Sequence, residues 1–440
     1  MKNPEFKEQR TKNLSTIDPL LEDYESKCVV VWYIFCKFAN QIKLGIMVFK
    51  NIRIVDDTQD FIGDVRVESG IIAEVGHGLH DEEEYDYAGT SCALLPAFTD
   101  LHVHFRDPGL THKEDVVTGS HAAVRGGYTA VNLMPNTKPV CSSLEQAQDV
   151  QRRVAETGLI FANQTLSMTK NLEGKDFSHL LPLKKEEILF VTDDGRGVDD
   201  DAVMEQIFLI CKERHIGIMS HTEKSEYSKV DMRKAENAMT FRDIDLCRKT
   251  GGRIHFCHVS TKEAIEAIAR AKAEGLEVTC EVTPHHIAAT GEEVNHYRVN
   301  PPFREKEDVQ ALIAAMQSGV VDAISTDHAP HTAEDKLNGS PGMTGLELAF
   351  SLCYTKLVVP GYLTLSQLVK LMSSTPSAMM KLNKGRIQVG MDADLTIVDT
   401  DMTYVVDPKE FASKGKNTPF VGWQLQGRVL RTLRAGKFVF

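Results

Sequence analysis

The chain has 440 residues, of which 42% are hydrophobic and 25% charged, a balance typical of globular proteins and not of disordered or collagen-like chains. A chain of this length corresponds to two or three domains, or to one large barrel with an accessory domain. Its 50 lysines and arginines are outnumbered by 62 aspartates and glutamates, and the resulting net charge of −12 argues against a nucleic-acid partner.

The first part of the chain, residues 1–46, precedes any regular pattern, and we expect it to be an extension without a catalytic role. Within it, residues 29–39 are apolar, but this stretch is too short to span a bilayer and Lys37 interrupts it. A secretory signal is a poor fit because acidic as well as basic residues precede the stretch, so we expect no membrane attachment. The nine cysteines include no C-x-x-C pair, which favours the reducing cytoplasm.

Short strand patterns occupy the two ends of the remaining chain. Residues 47–93 alternate apolar and polar side chains between turn signals, and residues 385–440 do the same. Because a different pattern separates these two regions, we expect them to pair in space as one discontinuous β domain.

The middle of the chain, residues 94–384, has the alternating pattern of an α/β fold. Apolar spacings of three and four predict helices at residues 113–125, 144–156, 200–213, 261–273 and 305–317. Strand patterns occur at residues 94–104, 129–136, 159–168, 188–195, 216–223, 253–260, 276–286 and 321–331. Eight strands that alternate with helices indicate a (β/α)8 TIM-like barrel.

Unusual polar residues stand at the ends of the predicted barrel strands, where enzymes of this architecture carry their active sites. The first strand ends with His102 and His104, which share one face because alternate residues of a strand point the same way. The other strand ends supply the T-D-D-G segment (192–195), His221, His258 and Asp327. Since buried charged groups need partners, this many in one place predict a metal site.

The chemistry of these side chains indicates which metals the site would hold. Imidazole and carboxylate ligands together suit Zn²⁺, with Mn²⁺ or Co²⁺ as alternatives. The ligands suffice for two divalent ions around a shared carboxylate. Two such ions would lower the pKa of a bridging water and give hydroxide at neutral pH.

Seven motifs follow one another along the chain in the order of a known enzyme family. They are D-L-H-V-H-F-R-D-P-G (100–109), N-L-M-P-N-T (132–137), T-D-D-G (192–195), H-V-S-T (258–261), V-N-P-P-F-R (299–304), S-T-D-H-A-P-H (325–331) and P-G-M-T-G-L-E (341–347). From about residue 47 to residue 440 the chain resembles the class I dihydroorotases of the amidohydrolase superfamily. The resemblance implies a TIM-like barrel with a β-sandwich domain built from both chain ends, in agreement with the patterns.

The resemblance also implies how two metal ions would be held. Their ligands would be His102, His104 and Asp327 for one ion and His221 and His258 for the other. An aspartate of the T-D-D-G segment would bridge the two ions. We expect this bridge to be Asp194 and not Asp193, because the spacing of Asp194 from the histidine motifs resembles that of class I. Many relatives use a carboxylated lysine instead, but Lys184 and Lys185 precede the strand and do not follow it.

The implied reaction is the reversible interconversion of L-dihydroorotate and N-carbamoyl-L-aspartate in de novo pyrimidine (UMP) biosynthesis, with a metal-bridging hydroxide as nucleophile. Asp327 would serve as general acid and base. The substrate contacts implied by the motifs are Arg106, Asn136, Asn300 and His331. The planar fork of Arg106 suits bidentate binding of the carboxylate that both molecules carry.

Two other functions compete with this interpretation. Another cyclic amidohydrolase, such as an allantoinase or a dihydropyrimidinase, would act on substrates that lack the carboxylate. An inactive homologue that serves as a scaffold for aspartate transcarbamoylase would be expected to have lost metal ligands, and here all six positions are filled. We expect a small-molecule substrate and a homo-oligomer, and we leave an aspartate transcarbamoylase partner open.

Some residues near the motifs have no assigned role. His285 and His286 follow the seventh predicted strand and could support the site, whereas His255 is interpreted as an ordinary packing residue. The segment 222–248 is more compact than in most of the family, and it lies beside the predicted metal site. We expect this difference to affect loop shape or contacts between subunits.

Overall fold

The computed structural model describes residues 45–440. Residues 1–44, which hold nearly all of the proposed extension and its apolar stretch, lie outside the described residues. Within residues 45–440 there is no helix with the length and apolar character needed to cross a lipid bilayer.

Strands of the described chain fall into an N-terminal group, a middle group and a C-terminal group. They are β1 Met47–Val55, β2 Asp60–Glu68, β3 Ile71–Gly76, β4 Glu83–Asp86, β5 Cys92–Pro96, β6 Phe98–Val103, β7 Tyr128–Leu133, β8 Phe161–Gln164, β9 Phe190–Val191, β10 Gly217–Ser220, β11 Ile254–Phe256, β12 Val278–Val282, β13 Ala323–Ile324, β14 Leu395–Val405, β15 Gln424–Arg434 and β16 Lys437–Phe438.

The helices lie between β6 and β14. They are α1 Val116–Arg125, α2 Leu144–Glu156, α3 Asp201–Arg214, α4 Met232–Thr250, α5 Lys262–Ala273, α6 Pro284–Ala288, α7 Lys306–Gln317, α8 Ala333–Leu337, α9 Ala349–Cys353, α10 Leu365–Val369 and α11 Thr375–Met379. The first five begin at polar residues whose side-chain oxygens accept backbone N–H groups of the first turn, which are Asp115, Ser143, Asp200, Asp231 and Thr261.

Eight parallel strands, β6 to β13, form the barrel. The first three make one sheet and the other five make a second. Parallel bridges join the two sheets at both edges, between Val103 and His328 and between Leu166 and Val191. The ring is therefore closed, and the barrel predicted from the sequence is confirmed.

The remaining strands form a separate eight-stranded sheet. Its order is β16-β15-β14-β5-β1-β2-β3, with β4 paired to β1. The decisive contact is the antiparallel pairing of β5 with β14, in which Leu395 lies opposite Pro96. Strands from both chain ends thus share one sheet, as the sequence predicts, and β5 leads directly into barrel strand β6.

Apolar side chains fill part of the barrel interior. Leu101 on β6 and Met219 on β10, which lie on opposite sides of the ring, belong to one buried cluster with Cys257 and Ala323. Residues of opposite strands meet through the interior, so this cluster packs across the barrel centre, where it shares the space with the buried Glu281 of β12.

The five predicted helices are observed with similar bounds, but several predicted barrel strands are too long. Of the first, expected over 94–104, residues 94–96 belong to β5 of the other sheet, and of the eighth, expected over 321–331, only β13 Ala323–Ile324 is observed. The seventh is also too long. It was expected over 276–286, and β12 ends at Val282. Thr283 then caps helix α6, its Oγ1 accepting the N–H of His286, and Pro284 occupies the first helical turn. Proline is favoured at that position because it has no N–H to leave unpaired.

Candidate metal centre and substrate cleft

A single cleft of about 210 Å³ collects nine of the ten predicted site residues. It is lined by His104, Arg106, Asn136, Asp194, His221, His258, Asn300, Asp327 and His331. The tenth, His102, is fully buried and contacts the carboxylates of the same cleft. Four of the lining residues, His104, Asp194, His221 and His258, come one to three residues after the ends of β6, β9, β10 and β11, so the cleft lies at the carboxyl ends of the barrel strands.

The backbone turns sharply where several of these side chains enter the cleft. Arg106, His258 and Asp327 have φ angles of 58°, 36° and 48°, in the left-handed region that few residues other than glycine adopt. Such conformations persist only where the surroundings enforce them, and they concentrate at functional sites.

The carboxylate of Asp194 lies among four imidazoles. Its Oδ1 is 3.2 Å from His102 Nε2, 3.5 Å from His221 Nδ1 and 3.8 Å from His258 Nε2, and its Oδ2 is 3.5 Å from His104 Nε2. Burial opposes ionisation, but the neighbouring imidazoles, His102 above all, hold the pKa of Asp194 well below its usual range. The two carboxylate oxygens together therefore reach both pairs of histidines, with Oδ1 near His102, His221 and His258 and Oδ2 near His104.

Asp327 completes the first group. Its Oδ1 lies 3.0 Å from His104 Nε2 and 3.7 Å from His102 Nε2. Burial would raise its pKa, but the hydrogen bond from His104 and the nearby imidazole charges lower the pKa of Asp327 to about 2. This carboxylate is therefore ionised at neutral pH and able to accept a proton.

The neighbouring Asp193 points away from this centre. Its Oδ1 accepts the backbone N–H of Thr169 at 2.9 Å, and its Oδ2 accepts the Thr169 hydroxyl. Burial raises the pKa of Asp193 to about 6. Lys184 and Lys185 are exposed on the loop before β9. Among these alternatives, only Asp194 contacts the histidines.

Three of the four imidazoles are also bound on the side that faces away from Asp194. The bonds are His102 Nδ1 to Glu281 Oε1, His104 Nδ1 to Asn136 Oδ1 and His221 Nε2 to Glu223 Oε2, each 2.9 Å long. With a metal bound, each outward nitrogen would carry the N–H and the other ring nitrogen would direct its lone pair inward, which is how metal-binding histidines are held.

These residues fit a divalent metal. His102 Nε2 is buried and has no hydrogen-bond partner in the described chain, although it faces two carboxylates. Two imidazole nitrogens, His221 Nδ1 and His258 Nε2, approach each other to 2.9 Å. Inward nitrogen lone pairs beside carboxylate oxygens are the donor set that Zn²⁺ and similar ions prefer.

Arg106 and His331, two of the predicted substrate residues, lie together on one side of the cleft, which we call the substrate wall. Arg106 Nη2 is 3.4 Å from His331 Nε2, and its Nε donates to the carbonyl oxygen of Pro330 at 3.4 Å. Burial, together with the charges of Arg106 and Lys113, lowers the pKa of His331 to about 3. The imidazole is thus neutral at pH 7, and the guanidinium provides the positive charge.

Of the two predicted asparagines, Asn136 contacts the candidate metal ligands directly and Asn300 reaches His221 through Glu223. Asn136 Nδ2 donates to Asp194 Oδ2 at 2.9 Å. Asn300 Nδ2 donates at 2.8 Å to Glu223 Oε2, the oxygen that also binds His221. Both amides are therefore hydrogen-bonded to the candidate metal ligands, Asn136 directly and Asn300 through Glu223, and both also line the cleft.

The structure contains a buried carboxylate network behind His102 that was not predicted from the sequence. Glu281 on β12 binds His102 with one oxygen, and its Oε2 lies 3.1 Å from Nε2 of His255. Although burial opposes it, the bonds from His102 and His255 hold the pKa of Glu281 well below its usual range. The signal was a lone glutamate inside an apolar strand, where a charge must have a partner. His255 is part of this network and not an ordinary packing residue.

His328, for which the sequence predicts no role, lies behind the cleft wall. Its backbone carbonyl accepts the N–H of His104 at 2.9 Å, and its Nδ1 accepts the N–H of Gly345 at 3.1 Å. His328 therefore holds the backbone at His104 and at Gly345 in place. Of the two histidines left open, His286 on α6 donates through Nε2 to the carbonyl of Pro301 at 3.0 Å, the residue after Asn300.

Comparisons with known proteins agree with this geometry. Residues 93–439 match the amidohydrolase family. A dihydroorotase from Clostridium botulinum (strain Eklund 17B / Type B) is 50% identical over 395 residues, which cover 90% of this chain and 99% of that protein. A dihydroorotase from Halalkalibacterium halodurans is 38% identical over 401 residues, which cover 86% of this chain and 94% of that protein.

A solved structure shares the fold. The L-hydantoinase (dihydropyrimidinase) from Arthrobacter aurescens superposes with a TM-score of 0.81 at 25% identity, over 89% of this chain and 95% of that one. The family match covers most of the chain, and the candidate ligand groups agree with metal dependence. Sequence identity over nearly the full length of the curated relatives is decisive: this chain belongs to the dihydroorotases of the amidohydrolase family.

Proposed function

We propose that this chain hydrolyses L-dihydroorotate reversibly to N-carbamoyl-L-aspartate, the cyclic amide reaction of de novo pyrimidine biosynthesis. The observation that carries the proposal is the placement of Arg106 in the same cleft as the histidine and aspartate groups. Its guanidinium offers two parallel donors to the carboxylate of the substrate. The likeness to curated dihydroorotases supports the same reaction.

Two divalent ions, most simply Zn²⁺, are the proposed cofactor. His102, His104 and Asp327 would hold one, His221 and His258 the other, and Asp194 both. When bound, such ions lower the pKa of water to about 7 and polarise a carbonyl oxygen. The outward bonds to Glu281 and Glu223 keep the inward nitrogens of the histidines directed at the ions.

Asp327 is the proposed general acid and base. In the hydrolytic direction a water oxygen adds to the ring carbonyl carbon, and Asp327 takes the proton that the water loses. The carbon–nitrogen bond then breaks, and Asp327 returns this proton to the leaving ring nitrogen. Ring closure follows the same path in reverse. Because the pKa of Asp327 is low, its carboxylate is ionised before the reaction and has no proton of its own in the hydrolytic direction.

A dihydropyrimidinase-type reaction is the second candidate, because the superposed solved structure is a hydantoinase. Its substrate would lack the carboxylate, and the half-buried charge of Arg106 would then face the cleft without a carboxylate from the substrate. Since unpaired buried charges are costly, Arg106 favours the carboxylate-bearing substrate. The ratio of activity on dihydroorotate to activity on dihydrouracil separates the two reactions.

We propose that the enzyme works in the cytoplasm as a homo-oligomer. The seven cysteines of the described residues are free and buried, which fits a reducing compartment. Aspartate transcarbamoylase is the proposed partner candidate, because its product is the carbamoyl-aspartate that this enzyme would cyclise.

The assignment of the bridge is tested by two isosteric variants. Asp194→Asn removes the charge that both ion sites share, so we expect metal content to fall below one ion per chain and hydrolysis to fall at least about 10²-fold. Asp193→Asn is the matched control and should keep its metal, because Asp193 contacts only Thr169 in this region. Metal analysis by mass spectrometry decides. Loss of metal in Asp193→Asn alone would assign the bridge to the other aspartate.

The carboxylate clamp is tested by Arg106→Lys. Lysine keeps the charge but loses the planar fork, so we expect KM for dihydroorotate to rise about 10- to 100-fold, the range for a lost charged hydrogen bond, with unchanged metal content. Arg152→Lys, on the exposed face of α2, is the control and should leave the kinetics unchanged. An unaltered KM in Arg106→Lys would reopen the choice of substrate.

Proton transfer is tested by Asp327→Asn, measured for metal and turnover together. An amide oxygen remains near the ion, but the basic carboxylate is gone. We therefore expect most of the metal to stay and turnover to fall by about 10² to 10⁴ or more. Wild-type turnover would remove Asp327 from the reaction, and complete loss of metal would show that its part as a ligand is sufficient to explain the defect.

A further inference from the structure

Lys336 on the short helix α8 makes an unusual set of contacts beside the cleft. Its Nζ donates to three backbone carbonyl oxygens, those of Arg298 at 2.9 Å, Ser340 at 2.8 Å and Gly342 at 2.8 Å. The ammonium also lies 4.3 Å from the centre of the Tyr297 ring. An ammonium has three N–H donors, so every one of them is used.

Lys336 is not part of an ion pair within the described residues 45–440, where no carboxylate oxygen lies within 4 Å of its ammonium. Lys113, by contrast, lies 3.1 Å from Asp335 Oδ1. Burial, followed by the charge of Arg298, lowers the pKa of Lys336 to about 8. The charge is thus held mainly by carbonyl dipoles, which is a costly arrangement unless it organises the chain around it.

The three carbonyls belong to segments that form the cleft. Arg298 precedes Asn300 by two residues, while Ser340 and Gly342 line the cleft directly. The Gly342 N–H donates to the Arg298 carbonyl at 3.1 Å, so the two segments already touch at the point where the ammonium binds. The helix that carries Lys336 begins just after His331.

We infer that Lys336 is a positioning residue for the substrate wall, in which one ammonium ties the Asn300 segment, the 340–342 segment and the His331 segment together. The inference rests on the proposed function only for the identity of the substrate. Without the ammonium, each of the three carbonyl oxygens loses one donor. The Arg298 carbonyl keeps the N–H of Gly342 and the Gly342 carbonyl keeps Nδ2 of Asn417, so the 340–342 segment is held less firmly at the cleft. The metal centre is held by separate contacts and does not depend on Lys336.

The test compares Lys336→Met with wild type in metal content, dihydroorotate kinetics and backbone amide exchange. We expect KM to rise about tenfold or more, because small displacements of binding groups have large effects, with kcat within about twofold and metal unchanged. Amide exchange over residues 340–342 should become faster. Lys356→Met is the control, since that ammonium lies 4.9 Å from the Trp423 ring outside the cleft, and it should change neither quantity.

A second variant keeps the test decisive if Lys336→Met does not fold. Lys336→Arg retains the charge, but the donors of arginine spread over a planar fork and do not converge on three carbonyls. We therefore expect KM to rise less than in Lys336→Met, and amide exchange over residues 340–342 to be faster than in wild type. Wild-type KM and wild-type exchange in the folded variants would overturn the inference, as would a loss of metal or of kcat alone. A wild-type chain without dihydroorotate hydrolysis would refute the proposed function instead, and the exchange result would still judge Lys336.

Discussion

The carboxylate of Asp194 is 4% exposed and lies within 3.8 Å of nitrogens from four imidazoles. Removing such a charge from water costs several kcal/mol, so the fold has to bring positive or polarised partners to that point. The imidazoles come from β6 and from the ends of β10 and β11, on opposite sides of the ring. The barrel therefore has to close before the charge is compensated, and the site and the fold form together.

Carboxylates around this centre orient its histidines and connect them to the substrate wall. Glu281 fixes His102 from inside the barrel, while Glu223 binds both His221 and Asn300. One oxygen of Glu223 thus contacts both a candidate metal ligand and a predicted substrate residue. Lys336 acts further out, through backbone carbonyls alone, so the proposed account separates residues that direct the metal ligands from a residue that shapes the substrate wall.

Much of this arrangement was predictable because it repeats simple rules. Parallel strands end at one face, and alternation in a strand puts His102 and His104 on the same side. The spacing of the motifs favoured Asp194 over Asp193. In an irregular turn, however, the sequence does not determine which of two adjacent side chains points toward the cleft. The bonds of the Asp193 carboxylate to Thr169 explain why that side chain points away. Lys336 was not predictable, since its partners are carbonyl oxygens that any sequence supplies.

The anomalous scattering of crystals grown with Zn²⁺, recorded at the zinc absorption edge, shows whether two ions share the Asp194 carboxylate. We expect two peaks in each chain, one beside His102 and His104 and one beside His221 and His258, with Asp194 in contact with both. A single peak, or two peaks of which Asp194 touches only one, would contradict a centre organised by one shared carboxylate.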